Sequence, residues 1–140
     1  MGQDDRETQL RRVPLFGAMT DAAIASIAEL AETAEFGAGA RLTVEGEPGD
    51  AFFALTAGAA LVSRGGVTVR SLGPGDFVGE ISLIDGKPRT ATVTATAPIR
   101  ALVLRRDAFL SLIDRFPSVR LGVLMALTER IRSDARRPTD

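Results

Sequence analysis

The chain contains no cysteine, no histidine, no tryptophan and no tyrosine. Without cysteine there are no disulfides and no thiolate metal sites. Without histidine the commonest metal ligand and the usual general base are missing, and so are the serine and cysteine relays built on imidazole. Carboxylate-only chemistry is left, so the composition points away from an enzyme and toward a module that needs no cofactor or metal. A charge surplus is lacking too: 17 basic residues face 18 acidic ones, a net charge of −1. Dedicated nucleic-acid binders carry a basic excess, so no nucleic-acid partner is expected, although one small basic pocket is compatible with the balance. No apolar run approaches the roughly 20 residues of a membrane span. Met1 to Arg12 is polar and has no apolar stretch of a secretory signal. The expectation is a cytoplasmic protein or fragment, with no membrane contact of its own.

What is present fits one domain of 140 residues, 45% apolar and 25% charged, long enough to bury a core. Met1 to Thr8 reads as a frayed polar lead, and Leu10 to Phe16 as a short apolar anchor interrupted by Pro14. Thr20 reads as a helix N-cap with Asp21 in the first turn. Ile24, Ile27, Leu30 and Ala31 recur at helical spacing, which predicts an amphipathic helix over 21–34.

The pattern changes at Gly37. From there to Leu104, glycine- and proline-bearing turns separate short stretches of strand character: Arg41–Val44, Phe52–Thr56, Ala59–Ser63, Val67–Leu72, Ala91–Ala95 and Ile99–Leu104. Many short strands at even spacing mean a sandwich or roll, not a βαβ fold. Helix returns after Arg106, with Asp107 as a candidate cap for 108–115. Pro117 breaks the pattern, Ser118 is a candidate cap for the last helix, and Pro138 stops it. Leu121, Leu124, Met125, Thr128 and Ile131 share a face of that helix, and its end is crowded with arginines, among them Arg136 and Arg137, that complement the helix dipole.

One run stands out between the strands: Gly79-Glu80-Ile81-Ser82-Leu83, followed by Pro88-Arg89-Thr90. A single helical turn fits the first segment. Its leading amides have no internal partner, which suits an anion. Gly79 leaves room for close backbone approach. Arg89, expected at the start of the next strand, can grip two phosphate oxygens in a fork. Thr90 adds a hydroxyl donor, and an ionised Glu80 is acceptor-only, suited to sugar hydroxyls. The same two charged side chains fit a surface ion pair across a hairpin equally well.

The ordered run Gly75 to Ile84, then Pro88 to Val93, resembles the phosphate-binding cassette of the cyclic-nucleotide-binding domain family. Pro14-Leu15-Phe16, the glycine-rich segment Glu45 to Asp50, Phe52-Phe53, Gly58 and the two closing helices extend the resemblance over nearly the whole chain. The pattern is similar to the cyclic-nucleotide domains of bacterial potassium channels and of kinase regulatory subunits.

The resemblance implies a mainly β fold: an antiparallel β-roll, jelly-roll-like, with an N-terminal helix and two C-terminal helices. It divides a single domain into a helical segment (1–36), a roll (37–104) with its cassette (75–93), and closing helices (106–136). It further implies a regulatory sensor of cyclic AMP, with cyclic GMP the lesser candidate, whose C-terminal helix shifts on binding. Arg89 would hold the cyclic phosphate, with Thr90 adding its hydroxyl. Glu80 would take the ribose 2′-hydroxyl, and Gly79, Ile81 and Ser82 would offer amides. Val62 would line the base, and Arg130 on the last helix would lie over it. Two departures are visible. Val78 replaces a frequent phenylalanine, and Arg70 stands where relatives often place an apolar residue against the base. Phe52, Phe53, Phe77, Phe109 and Phe116 are assigned to the core.

The implied partners are a cyclic nucleotide and a protein effector, with a homodimer through the last helix as a further possibility. Two other classes remain open on the residues alone. One is a ligand-free interaction or oligomerisation domain on the same fold. The other is a metal enzyme on a related roll, which the absence of histidine disfavours.

Overall fold

The computed structural model describes residues 3–135, and within them the side chains of residues 5–79 and 82–132. Three helices come first: α1 (Gln3–Arg11), α2 (Pro14–Gly17) and α3 (Asp21–Leu30). The polar lead is therefore helical from Gln3 and not frayed. Arg6 on α1 donates from Nη1 to the carbonyls of Ala28 (3.1 Å) and Ala31 (2.9 Å), closing the C-terminal end of α3. Leu10, Val13, Leu15 and Phe16 are buried, as an apolar anchor requires. Thr20 caps α3 by accepting from the Ala23 amide at 3.2 Å.

The predicted helix over 21–34 ends early. Residues Glu32–Phe36 form β1, so the sheet begins before Gly37. Polar alternation hid it: Glu32, Thr33 and Glu35 are exposed at the sheet's edge. The remaining strands are β2 (Arg41–Thr43), β3 (Ala51–Arg64), β4 (Val67–Leu72), β5 (Phe77–Val78) and, after the short helix α4 (Glu80–Asp85), β6 (Thr92–Arg105). All pairings are antiparallel. The central pair is β3 and β6; β1 and β2 lie along β6, while β4 and β5 lie along β3.

Four predicted strands are in fact two long ones. Gly58, read as a turn marker, and Pro98 sit inside β3 and β6 where the pairing register shifts between Leu55 and Ala60. Gly58 has φ +99°, and a Cβ there would lie 2.3 Å from the Pro98 carbonyl oxygen. Only glycine permits that approach, and the result is a bend that rolls the sheet on itself.

The sheet buries two faces. Phe52 and Ala54 on β3, with Leu102 and Leu104 on β6, pack against the helices. Their neighbours Ala51, Phe53, Leu55, Ala101 and Val103 point into the roll with Val62, Leu72 and Val93. Phe52 meets Phe109 and Phe77 in stacked contacts (5.5 and 5.7 Å) and Phe16 edge-on at 6.0 Å.

Two helices close the chain: α5 (Arg106–Arg115) and α6 (Pro117–Ala135). Arg105, not Asp107, occupies the N-cap position of α5; Asp107 sits in its first turn. Pro117 is the first residue of α6, where a missing N–H costs nothing. Ser118 therefore does not cap it, and its Oγ lies 3.3 Å from the Thr20 amide, tying α6 to the start of α3. Pro138, Arg136 and Arg137 lie outside the described residues. Val119 and Val123 face the core, whereas Leu121, Leu124, Met125 and Ile131 form an outward stripe, 59–68% exposed. Among the described residues, no helix is long and apolar enough to cross a membrane.

Candidate ligand-binding site

The segment Glu80–Asp85 forms the short helix α4, framed by Gly79 and Gly86. Gly79 precedes α4 with φ +99°, and a Cβ there would lie 2.6 Å from the Ala51 carbonyl oxygen. The N-cap residue of α4, Gly79, has no side chain to cap it, and among the described residues no side-chain cap bond is made there. At its other end the Gly86 amide returns to Ser82 O at 2.9 Å, and Arg106 of α5 donates from Nε to Leu83 O at 3.1 Å. The turn is thus pinned to the closing helices at its C-terminal end and left open at its N-terminal end.

Arg89 lies three residues before β6, in the connection rather than on the strand itself. It is 7% exposed. Its Nη2 donates to Ala51 O at 2.7 Å and its Nη1 to Gly79 O at 3.2 Å. Its main chain exchanges two further bonds with the preceding loop: its amide reaches Glu47 O, and the Gly46 amide reaches its carbonyl, both at 2.9 Å. A cation taken out of water needs acceptors, and here main-chain carbonyls supply two of them and fix the plane of the group.

A cavity of about 40 Å³ opens beside it. Arg70, Val62 and Val93 are partners across three neighbouring strands, and all three line it. Directly opposed residues share a sheet face, so this row forms one wall. Thr43, Val78, Gly79, Ser82 and Thr90 contribute to the rest. Thr43 Oγ1 donates to Ala91 O at 2.9 Å, fixing that corner. Among the described residues the lining carries four guanidinium groups, from Arg64, Arg70, Arg89 and Arg130, and no carboxylate.

Arg130 reaches the cavity from α6. Its Nη2 donates to Phe77 O at 3.2 Å, and its guanidinium lies 5.0 Å from the Phe77 ring centre. Such a stacked cation contributes about 0.5–1 kcal/mol where solvent reaches it and more where it does not. Phe77, assigned to the core by sequence, is half-buried: its ring stacks on Phe52 and also receives Arg130. The last helix therefore already rests across the cavity.

The structure brings Gly79, Ser82, Arg89, Thr90, Val62 and Arg130 to one cavity. The main chain of Glu80 and Ile81 begins α4, but their side chains lie outside the described residues. Sequence reasoning missed Thr43 and Arg64, whose positions follow only from strand register. It missed Ala51 altogether, because Ala51 acts through its carbonyl and any residue could supply one.

The family model for the cyclic nucleotide-binding domain matches residues 33–116. The chain is 37% identical over 105 residues to a cAMP-dependent protein kinase regulatory subunit of Aspergillus niger, covering 74% of this chain and 26% of that protein. It is 31% identical over 128 residues to a CRP-like cAMP-activated global transcriptional regulator of Mycobacterium tuberculosis, covering 88% and 57%. It thus spans about a quarter of the first relative and somewhat over half of the second. Among solved structures, the regulatory domain of Toxoplasma gondii PKA with cAMP superimposes with a TM-score of 0.81 at 25% identity, over 91% of this chain and 49% of that one. On this match over 33–116, the chain belongs to the cyclic nucleotide-binding domain family.

Proposed function

We propose that the chain is a regulatory module that senses cyclic AMP, performs no chemistry and acts in the cytoplasm on a protein effector. The observation that carries this reading is Arg89. A buried guanidinium stands at a cavity whose described lining holds three more cations and no carboxylate. A cyclic phosphodiester is an anion of the kind that a forked guanidinium recognises. Arg89 and Thr90 take the phosphate, and the amides that open α4 (Gly79, Ile81, Ser82) surround it. Glu80 takes the ribose hydroxyl, Val62 lines the base, and Arg130 covers it.

Arg130 of α6 lies across the cavity on Phe77, so ligand entry works against that contact. With the ligand seated, α6 closes over it, and binding shifts the population between the two positions. The outward stripe of α6 is the surface through which that shift reaches an effector or a second copy of the chain.

The test is calorimetric titration of cyclic AMP and cyclic GMP in parallel, on the parent and on Arg89→Ala. Saturable binding of cyclic AMP that the substitution removes supports the reading. A parent that binds neither nucleotide returns the fold to a ligand-free interaction domain. One observation favours cyclic GMP as a second reading: Arg70 lines the cavity in register with Val62. A donor-only fork suits the adjacent O6 and N7 acceptors of guanine, whereas adenine presents an amino donor beside N7. Under this second reading Arg70→Leu lowers the affinity for cyclic GMP and leaves that for cyclic AMP unchanged.

A further inference from the structure

Gly49 lies in the loop between β2 and β3, and its backbone is outside the left-handed region. Its φ alone does not call for glycine. Yet a Cβ at this position would fall 1.8 Å from Nε, 2.2 Å from Cζ and 2.6 Å from Nη2 of Arg89. The space that an alanine methyl would occupy is filled by the guanidinium. At Gly79 a Cβ would fall 2.9 Å from Nη1 of the same group. Arg89 therefore sits in a slot bordered by two residues without side chains, its donors aimed at Gly79 O and Ala51 O.

The two glycines differ in what a side chain would meet. At Gly79 it would also strike the main chain of Ala51, and the positive φ disfavours it regardless of space. At Gly49 the close atoms all belong to the far end of the Arg89 side chain. The loop itself is held, because Gly46 and Glu47 bond the Arg89 main chain in both directions and the Glu45 amide donates to Thr92 Oγ1 at 2.9 Å. With the loop fixed, the flexible partner must yield.

We propose that Gly49 is a positioning residue for ligand binding: its missing side chain reserves the volume in which Arg89 is held, and a substituent there expels the guanidinium. The proposal rests on the reading of Arg89 as the phosphate-binding group, yet the slot can be tested without a ligand.

Four proteins decide it: the parent, Gly49→Ala, Arg89→Ala and the double variant. In urea denaturation without nucleotide, Gly49→Ala should destabilise the parent but leave the Arg89→Ala protein as stable or slightly more so, because nothing is left to displace and glycine's unfolded-state freedom is reduced. An equal loss in both backgrounds overturns the proposal. In titrations with cyclic AMP and cyclic GMP, Gly49→Ala should bind about tenfold or more weakly, approaching Arg89→Ala, with no further loss in the double variant. Binding by Gly49→Ala within about twofold of the parent overturns it too. Should Gly49→Ala fail to fold, recovery of the fold in the double variant supports the slot, and failure of both overturns it. If the parent binds neither nucleotide, the sensor reading falls, while the denaturation cycle still decides the slot.

Discussion

At the scale of the residue, Arg89 concentrates the energetics of the site. Removing one member of a buried charge pair costs about 2–5 kcal/mol of affinity, so Arg89→Ala should weaken cyclic-nucleotide binding by that much in calorimetry. Arg89→Lys should also bind more weakly, because an ammonium cannot reproduce the planar fork that reaches two carbonyls and, under the proposed function, would meet the phosphate as well. A lysine variant that binds like the parent would show that the fork is not used. The positions of Gly79, Ser82, Arg89 and Thr90 were legible in the sequence because their side-chain chemistry and order are unusual together. The slot around Arg89 was not. It is made of the Ala51 carbonyl and the absent side chain of Gly49, and neither leaves a mark that distinguishes it from an ordinary strand or turn residue.

At the scale of the element, the cap and the lid carry separate predictions. Thr20 satisfies the Ala23 amide and meets Ser118 of α6. Thr20→Ala should cost about 1 kcal/mol and lower Tm by about 3 °C, read by thermal circular dichroism. Arg130 joins α6 to β5 through Phe77. Arg130→Ala should mainly accelerate release of bound nucleotide in stopped-flow displacement; an off-rate equal to the parent's would remove Arg130 from the lid. Elements were legible where periodicity was clean, as in α3 and β4. They were misread where one signal serves two purposes. Gly58 is a breaker in most strands, but here it marks a bend within a strand that continues. Helix α1 was hidden because its one fully buried apolar residue, Leu10, stands among charged ones, and its packing against α3 is a tertiary fact.

At the scale of the whole molecule, charge is distributed unevenly: the chain carries a net charge of −1, yet four arginines line one cavity. Attraction of an anionic ligand to partly exposed cations is screened as the Debye length falls from about 10 Å at 0.1 M salt to about 3 Å at 1 M. Association of cyclic nucleotide should therefore slow as salt rises, with a smaller change in its release; a salt-independent on-rate would contradict the role of the cluster. The roll has a further consequence for how the molecule comes apart. Strands β3 and β6, 14 residues each, run through both ends of the sheet and supply side chains to both apolar clusters. Neither lobe owns its own scaffold, so neither can melt while the other stays intact. Heat should dissolve both in a single step, with calorimetric and van 't Hoff enthalpies equal, and a protease that cuts either long ribbon at its bend should leave no surviving half.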